Sequence, residues 1–241
     1  MIVLLTDFGQ SEYVGVIKGV IYSIDPDARI VDLCHDLSPQ SIIEAAWILK
    51  NSYSYFLPGS VFCCVVDPGV GTHRRALAVK TESYYFVGPD NGLLWETLRE
   101  QQQIDIRNIP IPPDASRTFH GRDVFATAAA KIHIGCFEDF REKAEHPVRF
   151  EFHRTGCEGL VVRIDRFGNV ITNLPAQGKS TYRVSVGGKN YAMNFYQNYA
   201  SAEPGELFLV EGSCRTLEIS LKDADANARL HLKAGDRIRI L

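Results

Sequence analysis

Apolar positions change their period partway along the chain. In the first half, strand-like and helix-like stretches alternate. Residues 2–6 form a short apolar run, and over residues 11–25 Val14, Ile17, Ile21 and Ile24 recur at helical spacing on one face. Residues 29–34 are strand-like. Ser38-Pro39 has the form of an N-cap followed by proline at the first helical position, with Ile42, Ala45, Ala46 and Leu49 on one face beyond it. The near-continuous apolar run 61–66 suits a central parallel strand covered on both faces. Residues 76–81 and 84–88 predict two more strands, and 92–100 and 122–134 predict helices. This alternation predicts a layered α/β sheet.

The second half has period two. Tyr182, Val184 and Val186 alternate with polar neighbours, as do Leu217, Ile219 and Leu221, and Ile238 and Ile240. Gly187-Gly188 is a hairpin signal, and no amphipathic helix is evident after about Lys143. The domain boundary is expected in the charged stretch 138–154. The expected domains are therefore 1–145, α/β, and 150–241, all-β.

Composition narrows the function classes. The 241 residues carry 26 Lys+Arg and 29 Asp+Glu, a net charge of −3, with 45% hydrophobic residues. A slightly acidic balance without basic runs argues against general nucleic-acid binding. No segment approaches the ~18 apolar residues of a membrane span. The start is too short and too acidic for a secretory signal, so a cytoplasmic location is expected. The cysteines (34, 63, 64, 136, 157 and 214) contain no CxxC pair and are expected to be buried thiols.

In parallel sheets, ligands bind beyond the carboxyl ends of strands. Four aspartates follow predicted strands there: Asp7, Asp36, Asp67 and Asp90. Asp67 opens a Gly- and Pro-rich loop that leads to Arg74 and Arg75, a pairing suited to orienting water or a polar ligand. Asp36 and Asp90 are expected to be turn or cap residues. His120 lies just outside a predicted helix start and could exchange hydrogen bonds with a ligand there. The other histidines (35, 73, 133, 146, 153 and 231) are read as structural or surface residues. The signatures GxGxxG, P-loop, GxSxG and HExxH are all absent.

Five ordered segments carry a resemblance: LTDFG at 5–9, VDPGVGTHRR at 66–75, GPDNGLL at 88–94, TFHGRD at 118–123 and DRFGN at 165–169. Together the chain resembles the S-adenosyl-L-methionine hydroxide adenosyltransferase (hydrolase) family, relatives of fluorinase and chlorinase. The resemblance implies a Rossmann-like α/β/α layered domain followed by a smaller barrel-like all-β domain. It implies cleavage of S-adenosyl-L-methionine to adenosine and L-methionine, with water or hydroxide attacking ribose C5′. The implied catalytic set is Asp67, Arg74 and His120. Asp7, with Phe8 beside it, is expected to hold the ribose. Asp165, Phe167 and Asn169 are expected to meet the methionine end and the nucleoside, and Ser213, Glu218 and Leu221 the methionine and adenine. No metal and no cofactor is expected, and homotrimers with sites at subunit interfaces are implied.

The chemistry suits those residues. The sulfonium is already an activated leaving group, so no acid is needed at sulfur. The demand is a nucleophilic oxygen held in line behind C5′, about 3–3.5 Å away. Arg74 and His120 can favour a hydroxide-like oxygen as donors, while Asp67 orients them or accepts a proton.

The halogenase branch replaces the residue at the Asp67 position and has Ser where this chain has Gly121, so halide is not the expected nucleophile. The family's usual Asn-x-Gly run is here Lys222-Asp223-Ala224-Asp225. Three other readings remain: a metal-dependent hydrolase built on Asp7, Asp36, Asp67, Asp90 and His120; a binding protein without turnover; and a halogenase.

Overall fold

Alternating residues of β1 (Ile2–Thr6) and β3 (Val61–Val65) face two separate cores. Ile2, Leu4, Val61 and Cys63 pack on one side of the sheet, and Val3, Leu5, Phe62 and Cys64 on the other. A strand buried on both faces needs apolar residues at every position, which explains the unbroken runs. The structure is a computed structural model describing residues 1–241, and it divides into two compact units, Met1–Glu151 and Phe152–Leu241.

The first unit holds a six-stranded sheet in the order β2-β1-β3-β5-β4-β6, with β2 Ile30–Cys34, β4 Ala76–Lys80, β5 Tyr85–Pro89 and β6 Asp105–Ile109. All pairings are parallel except those of β4, which runs against both its neighbours. One face is covered by α1 (Glu12–Ile24), a π-helical turn (Gly121–Ala126) and α4 (Thr127–His133), whose Ile17, Ile21, Phe125 and Ala129 join the first core. The other is covered by α2 (Ile42–Ser52) and α3 (Trp95–Leu98). This is the expected α/β/α layering.

Local details depart from the sequence reading. The α2 N-cap is Ser41, not Ser38, and its hydroxyl accepts from the Glu44 amide. Gln40 sits at φ +63°, which breaks any helix begun at Pro39, and the Glu44 carboxylate returns to the Ser38 amide at 2.8 Å. That reciprocal pair resembles a capping box shifted by three residues. Asp90 is more than a turn residue. It is buried, pairs with Arg75 and accepts from the Val148 amide at 2.7 Å, tying residue 148 to the sheet edge. Only Cys63 and Cys64 are buried. Cys157 is exposed and Cys34, Cys136 and Cys214 are half-buried, since they lie on edges and turns rather than in a central strand.

The second unit is a closed barrel in the order β10-β11-β12-β8-β7-β13-β9. Its strands are β7 Glu158–Ile164, β8 Val170–Thr172, β9 Thr181–Val186, β10 Lys189–Tyr196, β11 Leu207–Glu211, β12 Leu217–Leu221 and β13 Arg237–Ile240. Tyr182, Val184, Val186, Ile238 and Ile240 point into its core as the alternation predicts. Gly187 and Gly188 both have positive φ, 59° and 74°, the two-residue turn whose twist matches the strands it joins. One helix does follow Lys143: α5, Ala226–Leu230, whose five residues are too few to show a period. No helix of the protein is long and apolar enough to cross a membrane.

Candidate active site

Because β1, β2, β3 and β5 are parallel, Asp7, Asp36, Asp67 and Asp90 emerge at one edge of the sheet. The reversed β4 brings Arg74 and Arg75, which precede it, to that same edge. The two arginines then part. Arg75 faces Asp90 and the carbonyls of Glu145 and His146. Arg74 faces Asp67, with its Nε 2.9 and 3.0 Å from the two carboxylate oxygens and its Nη2 on Oδ2 as well.

Arg74 also reaches His120: its Nη2 lies 2.8 Å from Nδ1. A guanidinium can only donate, so Nδ1 must accept, and the neutral ring carries its proton on Nε2. Burial, and then the Arg74 charge, hold the His120 pKa below its ordinary value, favouring that neutral form. His120 immediately precedes the π-helical turn, and Phe125 within that turn lies under the Arg74 guanidinium at 5.1 Å. The loop from Asp67 to Arg74 depends on Gly71. It has φ +75°, and a Cβ there would lie 2.2 Å from the Arg117 carbonyl oxygen.

Asp67 and His120 wall a cavity of about 550 Å³, together with Asp7, Phe8, Tyr13 and Phe119. Phe8, Tyr13 and Phe119 meet edge to face at 4.9–5.9 Å, giving it an aromatic side. Gly121 leaves room for those rings, since a Cβ there would meet Phe119, Ile17 and Phe8 at 3.2–3.3 Å. Asp7 accepts from the Gln40 amide at 2.7 Å and keeps its other oxygen unbonded. Asp36 is exposed, and no three of the Asp, Glu, His and Cys side chains are grouped so as to hold a metal ion.

The remaining candidates gather in the barrel unit. Asp165, Phe167, Asn169, Ser213, Glu218 and Leu221 all line one cavity of about 950 Å³. Asp165 organises its own loop: Oδ1 accepts from the Phe167 and Asn169 amides, and Oδ2 from the Asn169 side chain. Phe167 projects from that loop at 76% exposure. Glu218 is buried, although alternation along β12 predicts an outward position. Tyr199 and Phe208 complete the wall. Sequence reasoning missed both, and Tyr13 too, because a lone aromatic residue carries no spacing signal; Phe119 fell within the TFHGRD segment without being given a role.

The chain was also compared with known proteins. The family model described as SAM hydroxide adenosyltransferase N-terminal domain matches residues 2–140, and its C-terminal counterpart matches 159–239. A protein of Methanocaldococcus jannaschii named (R)-S-adenosyl-L-methionine hydrolase is 41% identical over 72% of this chain and 66% of its own length. One of the same name from Thermus thermophilus is 36% identical over 98% of both chains. The crystal structure of an uncharacterized conserved protein from Thermotoga maritima superposes with a TM-score of 0.91 at 36% identity, covering 100% of both chains. Motifs, architecture and both family domains thus agree, and the chain belongs to the SAM hydroxide adenosyltransferase family.

Proposed function

We propose that this chain hydrolyses S-adenosyl-L-methionine to adenosine and L-methionine. The observation that carries the reading is the Asp67–Arg74–His120 chain at a cavity wall, in a protein whose relatives bear the name of that hydrolase. Their names also point to the (R) configuration at sulfur.

The geometry supports a division of labour. Arg74 occupies Asp67 and the Nδ1 of His120 together, which locks the ring and leaves its Nε2–H as a donor to the cavity. A carboxylate has about four acceptor positions. Asp67 therefore still has capacity to accept from a water or hydroxide that His120 holds from the other side. The incoming oxygen is aligned by one donor and one acceptor, and Asp67 takes the proton when water is the nucleophile. Methionine departs as a neutral thioether, so no acid is required at sulfur.

Asp7, with Phe8 beside it, suits the ribose diol. Asn169, Ser213, Glu218 and Leu221 suit the adenine and amino-acid ends, with Phe167 as an apolar cover and Asp165 shaping the loop. The chemistry calls for no metal and no cofactor, and we place the reaction in the cytoplasm. We also propose a homotrimer with sites shared between subunits. The exposed apolar side chains Tyr13, Val16 and Tyr22 of α1 and Val31 of the edge strand β2 support association.

Purified protein incubated with each sulfur epimer, with and without EDTA, then resolved by chromatography, tests the activity. Adenosine and methionine in equal amounts from the (R) epimer, unaffected by EDTA, are expected. Absence of adenosine across several pH values would overturn the reading. Light scattering is expected to give three times the 27.0 kDa chain mass.

A further inference from the structure

Glu218 is an unusual group for a barrel strand. It lies on β12 with 6% exposure, yet it carries a carboxyl into a ligand-sized cavity. Its Oε2 accepts from the Tyr199 hydroxyl at 2.8 Å. Room for the other oxygen exists because residue 212 is glycine: a Cβ there would overlap Oε1. The Asp165 carboxylate in the same cavity is already engaged by its own loop at both oxygens.

Tyr199 is itself held from two sides. It begins a short 3-10 turn, Tyr199–Ser201, capped by Asn198, whose side chain accepts from the Ser201 amide and hydroxyl. The Lys222 ammonium donates to the carbonyls of Tyr199 and Ala200, at 3.2 Å each. The Tyr199 ring edge also meets Phe208 at 6.3 Å.

Burial alone pushes the Glu218 carboxyl up, and the nearby Asp165 charge adds to that; the Tyr199 hydroxyl is what opposes them. A buried carboxylate steadied by a neutral phenol keeps its negative charge for a partner. Building on the proposed hydrolase reading, we propose that Tyr199 is a positioning residue that holds Glu218 as the acceptor for an N–H donor of the substrate. Tyr199 thereby sets discrimination for that donor. The shared chemistry is a nitrogen bearing hydrogens, either the α-ammonium of the methionine part or the exocyclic amine of adenine.

Two substrate analogues separate the sources, one lacking the α-amino group and one with a C6 oxygen in place of the purine amine. Wild type is expected to discriminate against one of them. In Tyr199→Phe, KM for the true substrate rises about tenfold, the effect of losing one hydrogen bond to a charged group, while kcat stays within about threefold. That variant also loses most of the discrimination. Glu218→Gln, which keeps the shape and loses the charge, abolishes it. Lys222→Met, which frees the turn and leaves the phenol in place, gives an intermediate loss.

The acid limb of KM moves to higher pH in Tyr199→Phe, because the ionised carboxyl loses its donor. Besides Tyr199, the charged and titratable groups around it are Arg163, Asp165, Arg166, Glu211, Cys214, Lys222 and Asp223, and none of them changes in that variant. Unchanged discrimination and an unmoved acid limb in a folded Tyr199→Phe would overturn the proposal, as would loss of kcat alone. Calorimetric binding of adenosine and of L-methionine needs no turnover. One of the two is expected to bind wild type about tenfold tighter than Tyr199→Phe, and equal affinities would overturn the proposal even if the hydrolase reading failed.

Discussion

The two units hold their buried carboxylates in opposite ways. In the α/β unit, Asp67 meets a guanidinium, and its charge is neutralised before any ligand arrives. In the barrel, Glu218 meets a phenol, so its charge is steadied but not cancelled. The first arrangement spends electrostatics on geometry: a fixed ring, a fixed tautomer and a directed donor. The second leaves electrostatics for recognition. A cationic substrate that needs no acid at its leaving group calls for both, direction at the reacting carbon and negative charge at a distance from it.

The sharpest way to break this contrast is Asp67→Asn. The amide is isosteric but no longer matches the Arg74 fork, so Arg74 loses its anchor and His120 the fixed donor to its Nδ1. We expect kcat to fall about 10³-fold with KM little changed, the pattern of an interaction made in the transition state. Circular dichroism should show the fold intact. Activity near wild type would remove Asp67 from the mechanism and with it the distinction between the units. Next in size is Gly71→Ala, which tests whether that geometry depends on the loop backbone. Positive φ and overlap with the Arg117 carbonyl together should cost about 2–4 kcal/mol. The expected loss appears in denaturation followed by tryptophan fluorescence, because Trp47 and Trp95 both lie in the α/β unit. An unchanged midpoint would mean that the loop is free to move.

The two units also differ in how much the sequence disclosed. Buried strands β1 and β3, the faces of α1, and the Gly187-Gly188 hairpin were legible because burial and turn geometry write themselves as period and residue type. The hydrogen-bonded group of Asp67, Arg74 and His120 was legible as motifs, since Asp67 and Arg74 share one loop, although only the folded β4 reversal separates the partners of Arg74 from those of Arg75. Strand β6, Asp-Ile-Arg-Asn-Ile, escaped notice: as an edge strand it is only half-buried and can be largely polar. In β12 the alternation misleads at Glu218 and Ser220, both buried; Glu218 is walled in by Tyr199 and Phe208. Tyr199 reaches Glu218 across 19 residues, and no local pattern relates them.

The smallest expected effect is also the most direct reading of the contrast, because acid should act on the two units in opposite senses. His120 has a folded pKa below its ordinary 6.5, so below that pH the unfolded chain takes up a proton that the folded chain refuses. Its contribution to the α/β unit is present at neutral pH and is lost as pH falls from 6.5 through the folded pKa. Glu218 has a folded pKa above its ordinary 4.5, so above that pH the unfolded chain releases a proton that the folded chain keeps. Its contribution to the barrel is present at low pH and is lost as pH rises from 4.5 through the folded pKa. A full proton's difference changes stability by about 1.4 kcal/mol per pH unit. Other groups titrate in the same range, so the informative quantity is the change in slope on substitution. His120→Gln should make the α/β unit, followed by tryptophan fluorescence, less sensitive to acid. Glu218→Gln should reduce the acid-induced protection of β12 amides in hydrogen exchange. Slope changes of the same sign in both variants would show that the two carboxylate sites are not electrostatic opposites.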